Sequence, residues 1–282
     1  MPGEIKEGKK TMKKKLYIGS NLKMYKTASE TARYLQRLEE NTREIDRDQV
    51  QLFILPSYTS LAAAVQAVDG GQIRIGAQNM SWADEGQFTG EISPIMLKET
   101  GADLVMIGHS ERRHVFRETD REENQKVKAA LLHGITPLLC IGETAEQKED
   151  GISEEILRIQ IKTGLKGVSA EQLENVWVAY EPVWSIGVDG TPATADYAEK
   201  MHKAIKEVLE ELYQEAAEQI PVLYGGSVNA ENAKELIVQE SIDGLFVGRA
   251  AWDADQFRIL IQNALEAAQK KLEAEKKGVE ER

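Results

Sequence analysis

The chain has 282 residues, with 47 acidic against 35 basic side chains, a formal charge of −12, 41% hydrophobic and 29% charged residues. That composition supplies both a core and a polar surface, so a disordered chain is excluded, and its acidity disfavours nucleic acid and anionic lipid as partners. One (β/α)8 barrel, commonly about 250 residues, fits this length better than two average domains.

The opening stretch, MPGEIKEGKKTMKKK, is basic in places, but no apolar run follows it. No stretch approaches the roughly 20 apolar residues of a membrane-spanning helix, which predicts a soluble, unsecreted chain without a membrane partner. Residues 1–15 read as a polar N-terminal extension, with Met12 as a candidate start. In chain order, β-rich runs fall at 16–20, 51–55, 73–78, 104–108, 136–141, 176–180, 220–224 and 244–248. Most are continuously apolar, as parallel strands covered on both faces are. Helical periodicity is clearest at 29–45, 122–132, 195–213, 230–239 and 254–268. Strand and helix alternating eight times predicts an α/β fold, a single (β/α)8 TIM barrel over residues 16–265. The rival, a doubly wound open sheet, usually carries a GxGxxG turn after an early strand, and this sequence has none. Residues 266–282 mix both charge signs and then run out of apolar residues, which reads as a charged C-terminal tail on a fraying helix. The single cysteine, Cys140, forms no intramolecular disulfide and points to a reducing, cytoplasmic setting.

Barrel active sites sit on the loops that follow the strands. The residues there are Asn21 and Lys23 after the first run, His109 and Glu111 after the fourth, and Glu181, Pro182, Trp184 and Ile186 after the sixth. Gly225, Gly226 and Ser227 follow the seventh, and Gly248 and Arg249 the eighth. Glu181 projects among apolar groups, where desolvation makes a carboxylate a stronger base; a structural pair with Lys or Arg is the alternative. His109 precedes a short helical turn that favours a neutral ring able to polarise a carbonyl, against a purely structural histidine. His114, His133 and His202 lack the i, i+4 spacing of a zinc site and read as structural or surface residues. Lys23, with Asn21 to orient it or the substrate, suits an anionic substrate, although a surface lysine is the plain alternative. The Gly225-Gly226-Ser227 turn and Gly248 leave backbone N–H groups open to a phosphate, or are simply tight turns. The segment 182–193, PVWSIGVDGTPA, has the prolines, glycines and large apolar side chains (Trp184, Ile186) of a closing lid.

Together NLKM at Asn21, GAQN and FTGE between Gly76 and Glu91, GHSERR at Gly108, CIGET at Cys140, YEPVWSIG at Tyr180 and YGGSV at Tyr224 are recognisable. In order and spacing, from Leu16 to about Asn263, the chain resembles the triosephosphate isomerase family. The resemblance implies interconversion of dihydroxyacetone phosphate and D-glyceraldehyde 3-phosphate through an enediol(ate), in glycolysis and gluconeogenesis, with no metal or organic cofactor. It makes Glu181 the base, His109 the electrophile, Lys23 the charge and Asn21 the orienting group, with Glu111 in support near Lys23. It assigns the phosphate to the lid amide at Gly187, to Ser227 and to the backbone after the eighth strand. It also implies a homodimer in which the loop carrying Thr89 inserts beside the partner's site.

The sequence departs from the family's usual pattern with Leu22 in place of Trp, Tyr25 in place of Asn, and Arg249 in place of a second Gly. The back half of the lid, 188–192, also differs and is about one residue longer. Retained acid–base residues with altered walls resemble paralogues that isomerise a four-carbon ketose phosphate, L-erythrulose 1-phosphate, which stands as the alternative substrate. From other classes, a Schiff-base aldolase using Lys23 and a non-catalytic barrel are the remaining readings.

Overall fold

The computed structural model describes residues 15–68, 71–187 and 190–280. Eight parallel strands run β1 (Leu16–Asn21), β2 (Val50–Leu55), β3 (Arg74–Ala77), β4 (Leu104–Ile107), β5 (Thr136–Ile141), β6 (Trp177–Tyr180), β7 (Val222–Tyr224) and β8 (Gly244–Val247). Each pairs with its sequence neighbour, and β1 pairs with β8, Tyr17 opposite Gly244, so the sheet closes into a barrel.

Closure explains why the strands read as apolar throughout. Alternate residues serve two cores. Phe53, Leu55, Leu104, Met106, Leu138, Cys140, Trp177, Leu223 and Phe246 point inward and fill the barrel. Their neighbours, such as Leu52, Val105, Leu139, Val178 and Leu245, pack outward against the helices. Gly244 is required at the seam, since a side chain there would collide with the Tyr17 carbonyl.

The helices begin where local chemistry sets them. Thr27 with Glu30, Thr119 with Glu122 and Thr144 with Gln147 form capping boxes, which satisfy the unpaired amides at a helix start. The helix expected over 230–239 is shorter, Ala233–Ile237, because the Asn229 side chain accepts from the Glu231 and Asn232 amides and holds that stretch as a turn. The helix expected over 29–45 is Ala28–Asn41, where Thr42 caps the end. The last helix, Ala254–Glu280, continues past residue 265, and Lys271 Nζ donates to the Val238 carbonyl at 2.8 Å, so part of the charged stretch docks on the barrel. The start proposed at Met12 lies outside the described residues, as do Val188 and Asp189 of the lid. Among the described residues no helix is long and apolar enough to cross a membrane.

Candidate active site

At the carboxyl ends of the strands lies a cavity of about 520 Å³. Asn21, Lys23, His109, Glu181, Gly187, Ser227, Gly248 and Arg249 all border it, although they come from five different strand ends and the lid.

Glu181 leaves β6 with its amide donating to the Ile141 carbonyl at 2.7 Å, and its carboxylate is buried. Its close contact is Oε1 to His109 Nε2 at 3.5 Å, and Oε2 has no hydrogen-bond partner among the described residues. Among the described residues this carboxylate makes no structural pair with Lys or Arg. Cys140, inside the barrel, has its thiol pushed well up by burial and by this carboxylate.

His109 caps the helix Ser110–His114. Its Nδ1 accepts from the Glu111 amide at 3.1 Å, so the proton must sit on Nε2, the nitrogen that faces Glu181. That geometry turns a general helix-terminus argument into a defined tautomer. Behind it, Arg113 donates to the carbonyls of Gly108 (2.7 Å) and Cys140 (2.9 Å) and pairs with Asp120 and buried Glu123. Burial drives the Glu123 carboxyl up to about 8 against the pull of that guanidinium. Gly108 has φ +76, and a Cβ there would lie 2.7 Å from the Glu123 side chain, so the backbone carrying His109 is gripped tightly.

Lys23 adopts φ +50, a left-handed conformation rare outside glycine. Three contacts hold it there: its amide donates to Asn21 Oδ1 at 2.8 Å, Gln78 Nε2 donates to its carbonyl at 2.8 Å, and its Nζ meets Glu111 Oε1 at 2.6 Å. Such strain, about 1–3 kcal/mol, persists only where the surroundings over-determine it. A Schiff-base lysine needs an apolar, uncharged neighbourhood, whereas Lys23 lies against the Glu111 carboxylate. Gln78 was missed in the sequence; its position inside the GAQN motif was the available signal.

The glycine turn after β7 serves packing as much as amide access. A Cβ on Gly225 would lie 2.8 Å from Glu181 Cγ, and one on Gly226 would overlap the Tyr224 hydroxyl. Gly225 borders the cavity, and its amide donates to the Tyr180 carbonyl at 2.8 Å. The Ser227 amide donates to Ser185 Oγ at 3.0 Å, and buried Ser185, which the sequence did not single out, is therefore the group a phosphate would have to displace.

The lid divides in two. Ile186 and Gly187 border the cavity, Gly187 with φ +97. Trp184 is not among the residues bordering it: its Nε1 donates to Glu143 at 2.8 Å and Lys148 Nζ stands 3.4 Å from its ring centroid, so of the two apolar lid side chains only Ile186 faces this cavity. Pro182 leads into the short turn Val183–Ser185. Glu143 also accepts from Tyr180 and Tyr197, which makes it the anchor of the lid base. Thr89 lies exposed on the loop before the helix Pro94–Thr100, outside the cavity lining.

A closed parallel barrel whose strand ends bring a carboxylate, an imidazole and an amine around one cavity is a (β/α)8 protein with the constitution of an acid–base enzyme. Residues 16–264 match the family model described as triosephosphate isomerase. The chain is 46% identical over 244 residues to an L-erythrulose-1-phosphate isomerase of Rhizobium etli, covering 86% of this chain and 90% of that one. It is 43% identical over 253 residues to a triosephosphate isomerase of Carboxydothermus hydrogenoformans, covering 89% and 100%, and 44% identical over 247 residues to that of Acetivibrio thermocellus, covering 87% and 97%. The chain belongs to the triosephosphate isomerase family, a family of aldose–ketose isomerases.

Proposed function

We propose that the cavity isomerises a short ketose phosphate by moving one proton between adjacent carbons. The observation that carries this is the approach of the buried Glu181 carboxylate, Oε1 at 3.5 Å, to Nε2 of a His109 ring whose Nδ1 is occupied by the Glu111 amide. Glu181 takes the proton from the carbon beside the carbonyl while His109 Nε2–H donates to the carbonyl oxygen, giving an enediol(ate); His109 then takes up the hydroxyl proton and Glu181 returns its proton to the former carbonyl carbon, so both residues end as they began. Lys23 adds fixed positive charge, Asn21 holds the Lys23 amide, and Glu111 positions both the lysine and the imidazole. The phosphate is held by the amides of Gly187, Gly226, Ser227, Gly248 and Arg249, all at the cavity border with Ile186.

The substrate proposed first is the dihydroxyacetone phosphate and glyceraldehyde 3-phosphate pair, which gives the enzyme a glycolytic and gluconeogenic role in the cytoplasm. The four-carbon reading, L-erythrulose 1-phosphate, is favoured by Arg249 at the cavity wall and by the names of several relatives at 42–46% identity. Steady-state assays on both substrates decide between them: the higher kcat/KM names the substrate. Glu181→Gln should cut kcat on that substrate by about 10²–10⁴-fold; activity within a few-fold of the parent would remove Glu181 from the role of base.

The proposed assembly is a homodimer. Met24 is 92% exposed beside exposed Tyr25 on the loop after β1, and Trp82, Phe88, Ile95 and Met96 add apolar surface on the loop carrying Thr89 and the helix that follows it. Light scattering behind gel filtration should give twice the 31.5 kDa chain mass, and a monomeric mass would refute the dimer.

A further inference from the structure

Trp252 borders the same cavity, and none of the roles above uses it. It follows β8 through the turn Arg249–Ala251 and is held at two points, by the end of β1 and by the loop after it. Its Nε1–H donates to the Asn21 carbonyl at 2.9 Å, and the Tyr25 ring packs against it with centroids 4.4 Å apart. Leu22, between those two positions, is buried at 1% exposure in the core between barrel and helices. The first loop therefore turns an aliphatic side chain into the core, and the aromatic wall on this side of the cavity is delivered from β8. An indole fixed by a hydrogen bond on one edge and backed by a second ring tilted 39° against it is a stiff wall, and packed aromatic walls do not yield to an added group without cost.

We propose that Trp252 is a specificity-determining residue: it limits the cavity beside Asn21 and Lys23, and so sets how long a ketose phosphate the site accepts. This rests on the isomerase reading above. The contact with Asn21 adds a positioning role, since the same bond fixes the carbonyl at the end of β1, two residues before the Lys23 amine.

The two roles separate by substitution. Trp252→Leu removes both wall and donor, while Trp252→Phe keeps an aromatic wall and loses only the donor. With kcat/KM measured on dihydroxyacetone phosphate and on L-erythrulose 1-phosphate, Trp252→Leu should raise the four-carbon to three-carbon ratio about tenfold, the scale at which one carbon is discriminated in a pocket. Trp252→Phe should lower kcat on both substrates several-fold and leave the ratio within about twofold of the parent. A ratio unchanged in Trp252→Leu, or shifted toward the shorter substrate, overturns the proposal. Should Trp252→Leu fail to fold, Tyr25→Ala, which removes an exposed supporting ring, should shift the ratio the same way by about threefold; no shift there overturns it equally. Parent enzyme that turns over neither substrate would refute the substrate reading itself, an outcome read before any variant.

Discussion

The backbone amide of Glu111 donates to Nδ1 of His109 at 3.1 Å, and this single bond decides which ring nitrogen presents a proton to the cavity. The Glu111 carboxylate also meets Lys23 at 2.6 Å. One residue thus orders both the imidazole and the amine, through its backbone and its side chain respectively.

Nitrogen-15 NMR of the folded enzyme at neutral pH should show the His109 ring with a proton on Nε2 and none on Nδ1. His109→Gln, which has no ring to polarise a carbonyl in that position, should lower kcat by about 10²–10⁴-fold with a much smaller change in KM. A spectrum with the proton on Nδ1 would contradict the tautomer argued from the hydrogen bond.

Lys23→Ala removes a fixed positive charge from the cavity of a chain whose formal charge is −12. KM for the phosphorylated substrate should rise at least tenfold, and the dependence of kcat/KM on ionic strength should flatten, because the screened attraction has been removed. A KM equal to the parent's would place Lys23 outside substrate binding.

Glu118 ties the loop after the His109 helix to the barrel. Its Oε1 lies 2.5 Å from Arg112 Nη2 and 2.6 Å from Nζ of buried Lys126, which also donates to Asn79 at 2.9 Å. Burial alone would push this carboxyl up, but the hydrogen bonds and charges of Arg112 and Lys126 win and hold it below its ordinary value. A depressed carboxyl contributes stability above its unfolded value, near 4.5, and that contribution disappears as pH falls through the lower folded value. Glu118→Gln leaves Lys126 buried without its carboxylate and should cost about 3–5 kcal/mol at pH 7. Denaturant unfolding from pH 7 to pH 3 should show a shallower acid-side loss in the variant; parallel curves would show that Glu118 is not the group titrating.

Gly226→Ala tests the packing reading of the glycine turn. The new methyl would overlap the hydroxyl of Tyr224, whose ring is buried and cannot swing away. A loss of about 1–3 kcal/mol is expected from overpacking. A variant as stable as the parent by calorimetry would show that the turn gives way.

The barrel was legible because its signal is redundant. Eight apolar runs separated by helical patterns survive errors of a few residues at any boundary, as at Ala233–Ile237, where an asparagine turn shortened the helix. Glu181, His109 and Lys23 were legible for a related reason: polar residues at strand ends must gather at one rim once the strands are parallel. Gln78, Ser185, Glu143 and Trp252 were not legible in that way. Each acts through a partner distant in sequence, and spacing along one chain does not reveal such pairs.

Taken alone, the sequence determined the fold class, the family to which the chain is similar and the rim on which chemistry gathers, because these follow from periodicity and from motifs read locally. Tertiary structure alone decided which ring nitrogen of His109 faces Glu181, that the Glu181 carboxylate lies against that histidine and not against a Lys or Arg among the described residues, that Trp184 bonds to Glu143, and that the Gly225 amide is already bonded. Those are matters of distance and direction between side chains brought together by barrel closure, and a difference of one hydrogen bond there changes what a residue can do.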